Sequence, residues 1–173
     1  LNEPAYVSSF YKDNGNLFRS AQCSLADEYE DFANPEYHYR ITIGDLWMRA
    51  ADLAKLAIAL CGDGSVDGVR LLTEDSLVLM RTDQASLQGS VTSTKTRYGL
   101  FLQREDTLID GHTFYGHQGM KAGILCNVYF EPSTGFGFVM VTNGCRNTLN
   151  NHVGVLARRM FTYAYETFAG SGE

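Results

Sequence analysis

The stretch that decides the fold is Tyr115-Gly116-His117-Gln118-Gly119-Met120, in which an apolar segment leads into a histidine with glycines close on both sides. A glycine beside a polar residue on a strand allows a close approach to the backbone, because no Cβ stands in the way. Two further strands are predicted at residues 122–130 and 136–142, joined by a proline-containing turn at residues 131–135. These segments predict an antiparallel sheet with His117 on one of its strands.

Bulk composition limits the classes of protein to consider. The chain has 173 residues, of which 45% are hydrophobic and 20% charged, as in an ordinary globular domain. A net charge of −6 argues against a nucleic-acid surface, which needs clustered Lys and Arg. The uncharged run at residues 122–130 is too short to span a bilayer. Leu1 in place of Met suggests that upstream residues were removed.

The cysteines do not predict a metal site or a disulfide framework. Cys23, Cys61, Cys126 and Cys145 are widely separated and include no Cys-x-x-Cys pair. Cys61 and Cys126 lie within apolar segments, so we predict that they are buried small hydrophobic residues. No cofactor is predicted.

The other histidines are also poor candidates for metal ligands. His112 precedes His117 by five positions, so on one strand the two side chains would point to opposite faces. His38 and His152 have no partner at ligand spacing. We therefore predict no metal.

The N-terminal part of the chain predicts a hairpin followed by a loop. Residues 6–11 are aromatic and β-branched, residues 13–16 form a strong turn signal, and residues 17–19 return. Residues 25–39 are acidic and rich in tyrosine. We predict an ordered surface loop there, because its aromatic side chains need a surface to pack against.

Two helices are predicted in the middle of the chain and one at its end. The first spans residues 50–60 and ends at Gly62. The second begins at Thr73, which can cap it, and a polar loop at residues 84–96 follows. The third spans residues 151–168. The predicted apolar faces are Leu53, Leu56, Ala57 and Leu60 in the first helix, Leu77, Val78 and Met80 in the second, and Val153, Leu156, Ala157, Met160 and Ala164 in the third.

Further strands at residues 98–103 and 113–117 complete the predicted sheet. A helix pair, antiparallel strands and a closing helix together define an α+β fold. We predict a single domain over residues 1–173. It comprises a hairpin and loop at 1–43, a helical segment at 44–96, and a sheet with the terminal helix packed on it at 97–173.

Several short motifs occur in the order of a known family. They are Gly44 followed by an Asp-Leu-Ala helix start, a Gly-x-x-Leu-Leu-Thr link at residues 68–73, Tyr-Gly-Leu at 98–100, His117-x-Gly119, and the turn at 131–135 before an apolar strand ending in Thr-Asn. Their order and spacing resemble the C-terminal part of the serine β-lactamase and penicillin-binding-protein family, in its class C-type, His-x-Gly variant. The sequence departs from the family where Arg49 replaces a helix-capping Ser or Thr, and where Gly-Asp replaces a double glycine.

The resemblance implies that His117 lies on a strand forming one wall of an active site, in an incomplete β-lactamase/transpeptidase-like fold. His117 would occupy the position of the Lys or His that polarises the site. The backbone N–H of Met120 would match an oxyanion-hole donor, which meets the charge developing on a substrate carbonyl. Gln118 is expected to face the site and hydrogen-bond a substrate carboxylate or amide, with Gly116 and Gly119 as further substrate-binding positions.

The nucleophile of such a site is not found in this sequence. In the family, a Ser-x-x-Lys at a helix start supplies the attacking hydroxyl and its base, and a Tyr-x-Asn or Ser-x-Asn assists proton transfer. The one Ser-x-x-Lys here joins Ser9 to Lys12, and the turn signal at residues 13–16 follows directly, so no helix is predicted to hold the pair. Neither Tyr-x-Asn nor Ser-x-Asn occurs.

Three functions are compatible with these motifs. The first is the C-terminal half of a serine hydrolase acting on a β-lactam, a D-amino-acid peptide or a small ester through an acyl-enzyme, inactive without the missing half. The second is a non-catalytic module that binds a peptide or partner in the groove beside the His117 strand. A third, weaker possibility is a novel hydrolase that uses Ser9.

The resemblance has two further implications. A missing N-terminal half would leave a strand edge open, which predicts a homo-dimer or a swapped oligomer. The family also implies a location in the cell envelope or outside the cell.

Overall fold

The structure, a computed structural model, describes residues 10–13, 16–20, 48–84, 97–121, 124–143, 149–150 and 153–169. The helices are α1 (Ala50–Cys61), α2 (Glu74–Arg81) and α3 (Val155–Ala164), and α3 continues into a π-helical turn (Tyr165–Ala169). The strands are β1 (Phe10–Asp13), β2 (Asn16–Ser20), β3 (Ser65–Val66), β4 (Val69–Arg70), β5 (Arg97–Tyr98), β6 (Gln103–Glu105), β7 (Phe114–Lys121), β8 (Ile124–Glu131), β9 (Phe136–Asn143), β10 (Leu149–Asn150) and β11 (Val153–Gly154).

A five-stranded antiparallel sheet with the strand order β5-β6-β7-β8-β9 organises the structure. Strands β7 and β8 pair from Tyr115 opposite Phe130 to Lys121 opposite Ile124. The pairs β1–β2, β3–β4 and β10–β11 form separate two-stranded sheets. The described elements are α+β, with antiparallel sheets, a C-terminal helix and no closed barrel, which confirms the predicted fold class.

Each face of this sheet has its own core, because successive strand residues point to opposite faces. On one face, Phe114 and Tyr129 pack with Phe161 of α3. On the other face, Tyr115 and Phe130 pack in a core that includes side chains of α1 and α2. The structure therefore has three layers, and we refer to the two sides of the sheet as the α3 face and the α1–α2 face.

Phe161 holds α3 on the sheet through edge-to-face contacts with four strand residues, one of which is Tyr129 at a centroid distance of 6.3 Å. The ring centroids lie 4.8 Å apart for Phe114, 5.7 Å for Phe136 and 5.3 Å for Phe138, at interplanar angles of 81°, 84° and 74°. This geometry is favoured by the ring quadrupoles, at about 0.5–1.5 kcal/mol per pair beyond burial. Phe161 is therefore the anchor of α3.

Arg81 ties the end of α1 to the end of α2. Its guanidinium donates to the carbonyl oxygens of Leu60 and Cys61, in the last turn of α1. Carbonyls in the last turn of a helix lack intrahelical partners. Because Arg81 satisfies two of them from α2, it fixes the packing of the helix pair whose Leu60 and Leu77 are buried against the sheet.

The start of α2 and the end of α1 lie where the sequence predicts them. The Thr73 hydroxyl accepts a hydrogen bond from the Ser76 N–H at 3.2 Å, so the predicted cap of α2 is confirmed. Arg49 makes no side-chain cap at the start of α1, and its guanidinium donates to Asp52 instead, at 3.0 Å. Gly62 ends α1, donating its N–H to the Ile58 carbonyl oxygen at 2.9 Å.

Two predicted elements differ from those observed. The single strand predicted at residues 98–103 is wrong, since β5 and β6 are separate antiparallel strands. The turn between them includes Phe101 with a φ of 71°, which reverses the chain direction. The terminal helix begins at Val155 and not at residue 151, because Val153 and Gly154 pair with β10.

Two predicted helix faces also need correction. In α2, Val78 is exposed, because the buried Leu77 and the half-buried Met80 occupy the face that meets the sheet. In α3, Ala157 and Phe161 face the sheet, which leaves Leu156 and Met160 exposed. The face of α3 that packs on the sheet is therefore shifted by about one residue from the predicted face.

The N-terminal hairpin is confirmed by the antiparallel pairing of β1 with β2. Other predictions fall outside the described residues. These are the loop at 25–39, the polar loop from residue 85 to residue 96, the Gly44–Asp45 departure, Ser9, Cys23, Cys145, His38 and His152.

We predict that Phe161→Ala lowers the free energy of unfolding by about 3–5 kcal/mol, because it removes a buried aromatic anchor and leaves a cavity. Urea denaturation followed by circular dichroism measures the change. Phe168→Ala serves as the matched control, since Phe168 is 66% exposed and its loss should change stability far less. Equal losses in the two variants would contradict the role given to Phe161.

Candidate functional site

His117 lies at the point where β7 loses its partner strand on one side. Gln103, the first residue of β6, lies opposite Gly116, whereas β7 continues to Lys121. Within the described part of the chain, residues 117–121 therefore pair with a strand only on the β8 side. The side chain of His117 is exposed at this open edge.

A hydrogen bond to the backbone fixes the tautomer of neutral His117. Its Nδ1 lies 2.7 Å from the carbonyl oxygen of Gln118. A carbonyl oxygen can only accept, so Nδ1 carries the proton. In the neutral ring, Nε2 then carries the lone pair that can accept a proton or a hydrogen bond. This is the arrangement that a general base or a polarising group needs.

The two glycines beside His117 have a packing role. A Cβ at Gly116 would lie 1.9 Å from the carbonyl oxygen of Val128, and a Cβ at Gly119 would lie 2.8 Å from the Sγ of Cys126. The group that approaches the backbone closely at both positions therefore belongs to β8. Gly116 is needed for β7 and β8 to pair at this distance, because the atom that a Cβ would meet belongs to the backbone. At Gly119 that atom is the end of the Cys126 side chain, which can move, so the requirement for glycine is weaker there.

The other predicted site residues share the strand with His117 but not its face. Gln118 follows His117 directly, so its half-buried side chain lies on the α3 face, opposite Asn127. The structure therefore does not bring His117 and Gln118 to one side of the sheet. Met120 lies three residues after His117 on β7, opposite Leu125 of β8.

Two aromatic side chains, one at the end of β5 and one in the β5–β6 turn, lie beside the His117 ring. The ring centroid of Tyr98 lies 6.2 Å from that of His117, at an interplanar angle of 49°. The ring of Phe101 is nearly parallel to it, with a centroid distance of 6.5 Å and an angle of 26°. Leu100, between these two residues, is 54% exposed. The open edge at His117 is therefore bordered by apolar groups.

Two buried polar side chains lie behind this edge, on the α3 face of β8. Among the described residues, the side-chain amide of Asn127 and the hydroxyl of Tyr129 have no hydrogen-bond partner, and both residues are 1% exposed. Burial, together with the nearby Glu105 carboxylate, raises the pKa of Tyr129 far above its ordinary value, so its hydroxyl stays protonated. Each unpaired buried polar group costs about 1–3 kcal/mol, so this part of the sheet is not optimised for stability.

Sequence reasoning missed a second polar cluster, at the far end of the same strands. The Nδ1 of His112 lies 2.9 Å from Oε1 of Glu131 and 2.9 Å from the Tyr165 hydroxyl. The Thr134 hydroxyl donates to Oε2 of Glu131 at 2.7 Å. These residues lie far apart in sequence, in the segment before β7, at the end of β8, in the turn after it and in the π-helical turn. No sequence spacing marks the cluster.

Glu131 is the centre of this cluster, and its side chain is only 3% exposed. Burial, the largest single effect, raises the pKa of the Glu131 carboxyl. The hydrogen bonds from Thr134, His112 and Tyr165 outweigh burial, and the pKa lies below its ordinary value. The carboxylate is therefore ionised and fully engaged, and it ties β8 to the end of α3. We assign the cluster a structural role.

The described residues contain no metal centre and no membrane-spanning helix. No group of three His, Cys, Asp or Glu side chains within them is placed to hold a metal ion. None of their helices combines the length and the apolar character that crossing a bilayer requires. Cys61 and Cys126 are free thiols, half-buried and not fully buried as predicted. Burial raises the pKa of both, so they are largely protonated and unreactive.

Comparison with known proteins gives a short, partial similarity. No family model matches the chain. It is 51% identical over 41 residues to the uncharacterized protein MT1414 and to Protein Rv1367c, both from Mycobacterium tuberculosis. The match covers 24% of this chain and 10% of each relative, so the chain matches about a tenth of the length of these curated relatives.

Glu131 predicts a specific dependence of stability on pH. A carboxyl whose folded pKa is depressed stabilises the fold above its unfolded pKa, and this contribution is lost as pH falls through the folded value. Glu131→Gln should therefore cost about 1–3 kcal/mol near pH 7, and the difference from the wild type should shrink below the ordinary value of 4.5. Urea denaturation of both proteins at a series of pH values measures this difference in the free energy of unfolding.

Glu166→Gln is the control for this experiment, because Glu166 is exposed in the π-helical turn close to Tyr165. It should change stability by no more than about 0.5 kcal/mol at any pH. A pH-independent loss in Glu131→Gln would show that packing and not ionisation carries the effect.

Proposed function

We propose that this chain is the C-terminal part of a serine hydrolase of the β-lactamase and penicillin-binding-protein type. The substrate class is a β-lactam, a D-amino-acid peptide or a small ester, which reacts through an acyl-enzyme. The observation that carries the proposal is His117, exposed at the open edge of β7 with Nδ1 hydrogen-bonded to the Gln118 carbonyl oxygen, which leaves the lone pair of the neutral ring on Nε2. The nucleophile belongs to polypeptide outside this sequence, so the chain alone does not turn over substrate.

In this proposal His117 assists the attack on the substrate carbonyl. The Nδ1–H bond to the Gln118 carbonyl orients the ring, and Nε2 then accepts a proton or a hydrogen bond from the hydroxyl that attacks. The backbone N–H of Met120 donates to the developing oxyanion, and losing such a donor typically slows a reaction about 10²–10³-fold. Both groups lie on β7, so the strand itself sets the distance between them.

Exposed apolar surface supports a missing part of the fold. Strand β9 pairs only with β8 within the described residues, although it is long and carries no charge or proline. The outer face of α3 exposes Leu156, Met160 and Tyr163 at helical spacing. A strand edge and an apolar helix face of this kind are normally covered by other polypeptide.

A second function, a non-catalytic module that binds a peptide or partner beside β7, has one observation in its favour. Tyr98, Leu100 and Phe101 expose apolar surface next to His117, and this surface needs no nucleophile to bind a ligand. In this case the unpaired edge of β7 accepts an extended peptide as an added strand. The acylation experiment below separates the two functions.

We predict that the 173-residue chain, expressed together with the polypeptide encoded directly upstream of Leu1, becomes covalently labelled by a fluorescent penicillin. His117→Lys should keep labelling within about tenfold, because an amine can polarise the same site. His117→Ala should lower the labelling rate by about 10²-fold or more. Gel fluorescence after quenching at timed intervals gives the rates.

Two results of the labelling experiment would contradict the hydrolase proposal. An absence of labelling with both pieces folded, or an equal rate in wild type and His117→Ala, contradicts the hydrolase proposal. Val78→Ala provides a control for nonspecific damage, since Val78 is exposed on α2, outside β7, the edge of β9 and the outer face of α3, and its loss should leave the rate unchanged.

The open edge of β9 leads to a prediction about assembly. We propose that the isolated chain forms a dimer or a swapped oligomer through this edge. Val141→Lys places a charge on the edge strand and should shift the chain towards monomer, whereas Val78→Lys on α2 should not. Size-exclusion chromatography with light scattering measures the mass. A wild-type chain that stays monomeric at high concentration contradicts this assignment.

A further inference from the structure

We propose that Phe101 is a specificity-determining residue that selects substrates with a planar aromatic acyl group. This inference rests on the proposed function, because it assigns the group that binds beside the reacting carbonyl. The Phe101 ring would form the surface on which that aromatic group stacks, next to His117. Four observations support it.

The backbone of Phe101 is strained, because a bulky residue occupies the left-handed position of the turn between β5 and β6. Its φ is 71°, in the left-handed region that bulky residues rarely adopt. Asp67 also has a positive φ, of 52°, but it precedes Gly68 in the two-residue turn between β3 and β4, where such angles are required. The turn between β5 and β6 also needs a left-handed residue at position 101, but a glycine would take that conformation without the strain of a phenylalanine. Strained residues of this kind are concentrated at ligand-binding sites.

The ring of Phe101 gains nothing from burial. It is 68% exposed, while the next residue, Leu102, is 2% exposed and lies in the core on the α1–α2 face. A large apolar side chain left in water at a strained position stabilises the fold little. A ligand that covers the ring would remove this apolar surface from water.

The turn that carries Phe101 is held firmly at its base. The Gly99 N–H donates to the Leu102 carbonyl oxygen at 2.9 Å, and Leu102 anchors the turn in the core. A Cβ at Gly99 would lie 1.9 Å from the Met80 carbonyl oxygen, so the turn packs directly on the end of α2. The Phe101 ring is therefore presented in a defined position.

The ring of Phe101 lies beside the candidate site. Its plane is tilted 26° from the His117 ring, with centroids 6.5 Å apart, and Tyr98 borders the same edge. Aromatic groups interact favourably at centroid distances of about 4.5–7 Å. An aromatic group stacked on Phe101 would therefore hold its attached carbonyl close to His117 and the open edge of β7.

The test compares two probes that differ only in an aromatic ring, N-phenylacetyl-D-alanine and N-acetyl-D-alanine. Each is titrated into the 173-residue chain, and the Cε1–H signal of His117, identified by its loss in His117→Gln, is followed by NMR. We expect the phenylacetyl probe to bind about tenfold more tightly. In Phe101→Leu and Phe101→Gly the preference should fall to about twofold or less.

A melting temperature and a second variant serve as controls for this experiment. Phe101→Gly should raise the melting temperature, because glycine adopts a positive φ without strain, and this shows that the variant is folded. Leu100→Ala removes the neighbouring exposed side chain and should keep the preference. Equal binding of both probes to the wild type, no binding of either, or an unchanged preference in Phe101→Leu would overturn the inference.

The binding experiment does not depend on acylation, so the two proposals can fail separately. An aromatic preference that requires Phe101, without labelling by penicillin in the presence of the upstream polypeptide, would leave Phe101 as a recognition residue and reject the hydrolase. Labelling without any aromatic preference would keep the hydrolase and reject the role of Phe101.

Discussion

The rest of the structure depends on the close pairing of β7 with β8 at Gly116. A Cβ at this position would lie 1.9 Å from the Val128 carbonyl oxygen, so no other residue allows the two strands to approach in this way. The pairing fixes the register, and the register decides which side chains reach each face. Tyr115 and Phe114 then enter separate cores, and His117 is placed beyond the end of β6.

The two ends of β7 serve different purposes. At its start, the buried Glu131 joins His112 and Tyr165, so charge and hydrogen bonds tie the sheet to the end of α3. Towards its other end, β7 has an unpaired edge, an exposed histidine and an apolar turn. The side chains of Asn127 and Tyr129, whose polar atoms have no partner in the part of the chain that the structure describes, lie behind that region. The buried, hydrogen-bonded cluster therefore lies at one end of the strand, and the exposed histidine with its apolar neighbours lies towards the other.

Much of the fold could be predicted from local patterns. Thr73 marked the start of α2 and Gly62 the end of α1, because capping and chain termination depend on a few neighbouring residues. The pattern failed where tertiary contacts decided. Phe101 adopts a left-handed conformation that its residue type does not favour. Residues 98–103, predicted as one strand, therefore belong to a hairpin of β5 and β6. Helical spacing also gave α3 an apolar stripe without revealing that Phe161, and not Met160, faces the sheet.

Local patterns in the chain were enough to predict the α+β class and the central place of the strand that carries His117 in the sheet, since these follow from periodicity, turn residues and motif order. The tertiary structure alone decided that Gly116 serves the pairing of two strands, that His117 and Gln118 lie on opposite faces, and that His112, Glu131 and Tyr165 meet. These facts depend on strand register and on contacts between residues far apart in the chain, for which a single sequence carries no local signal.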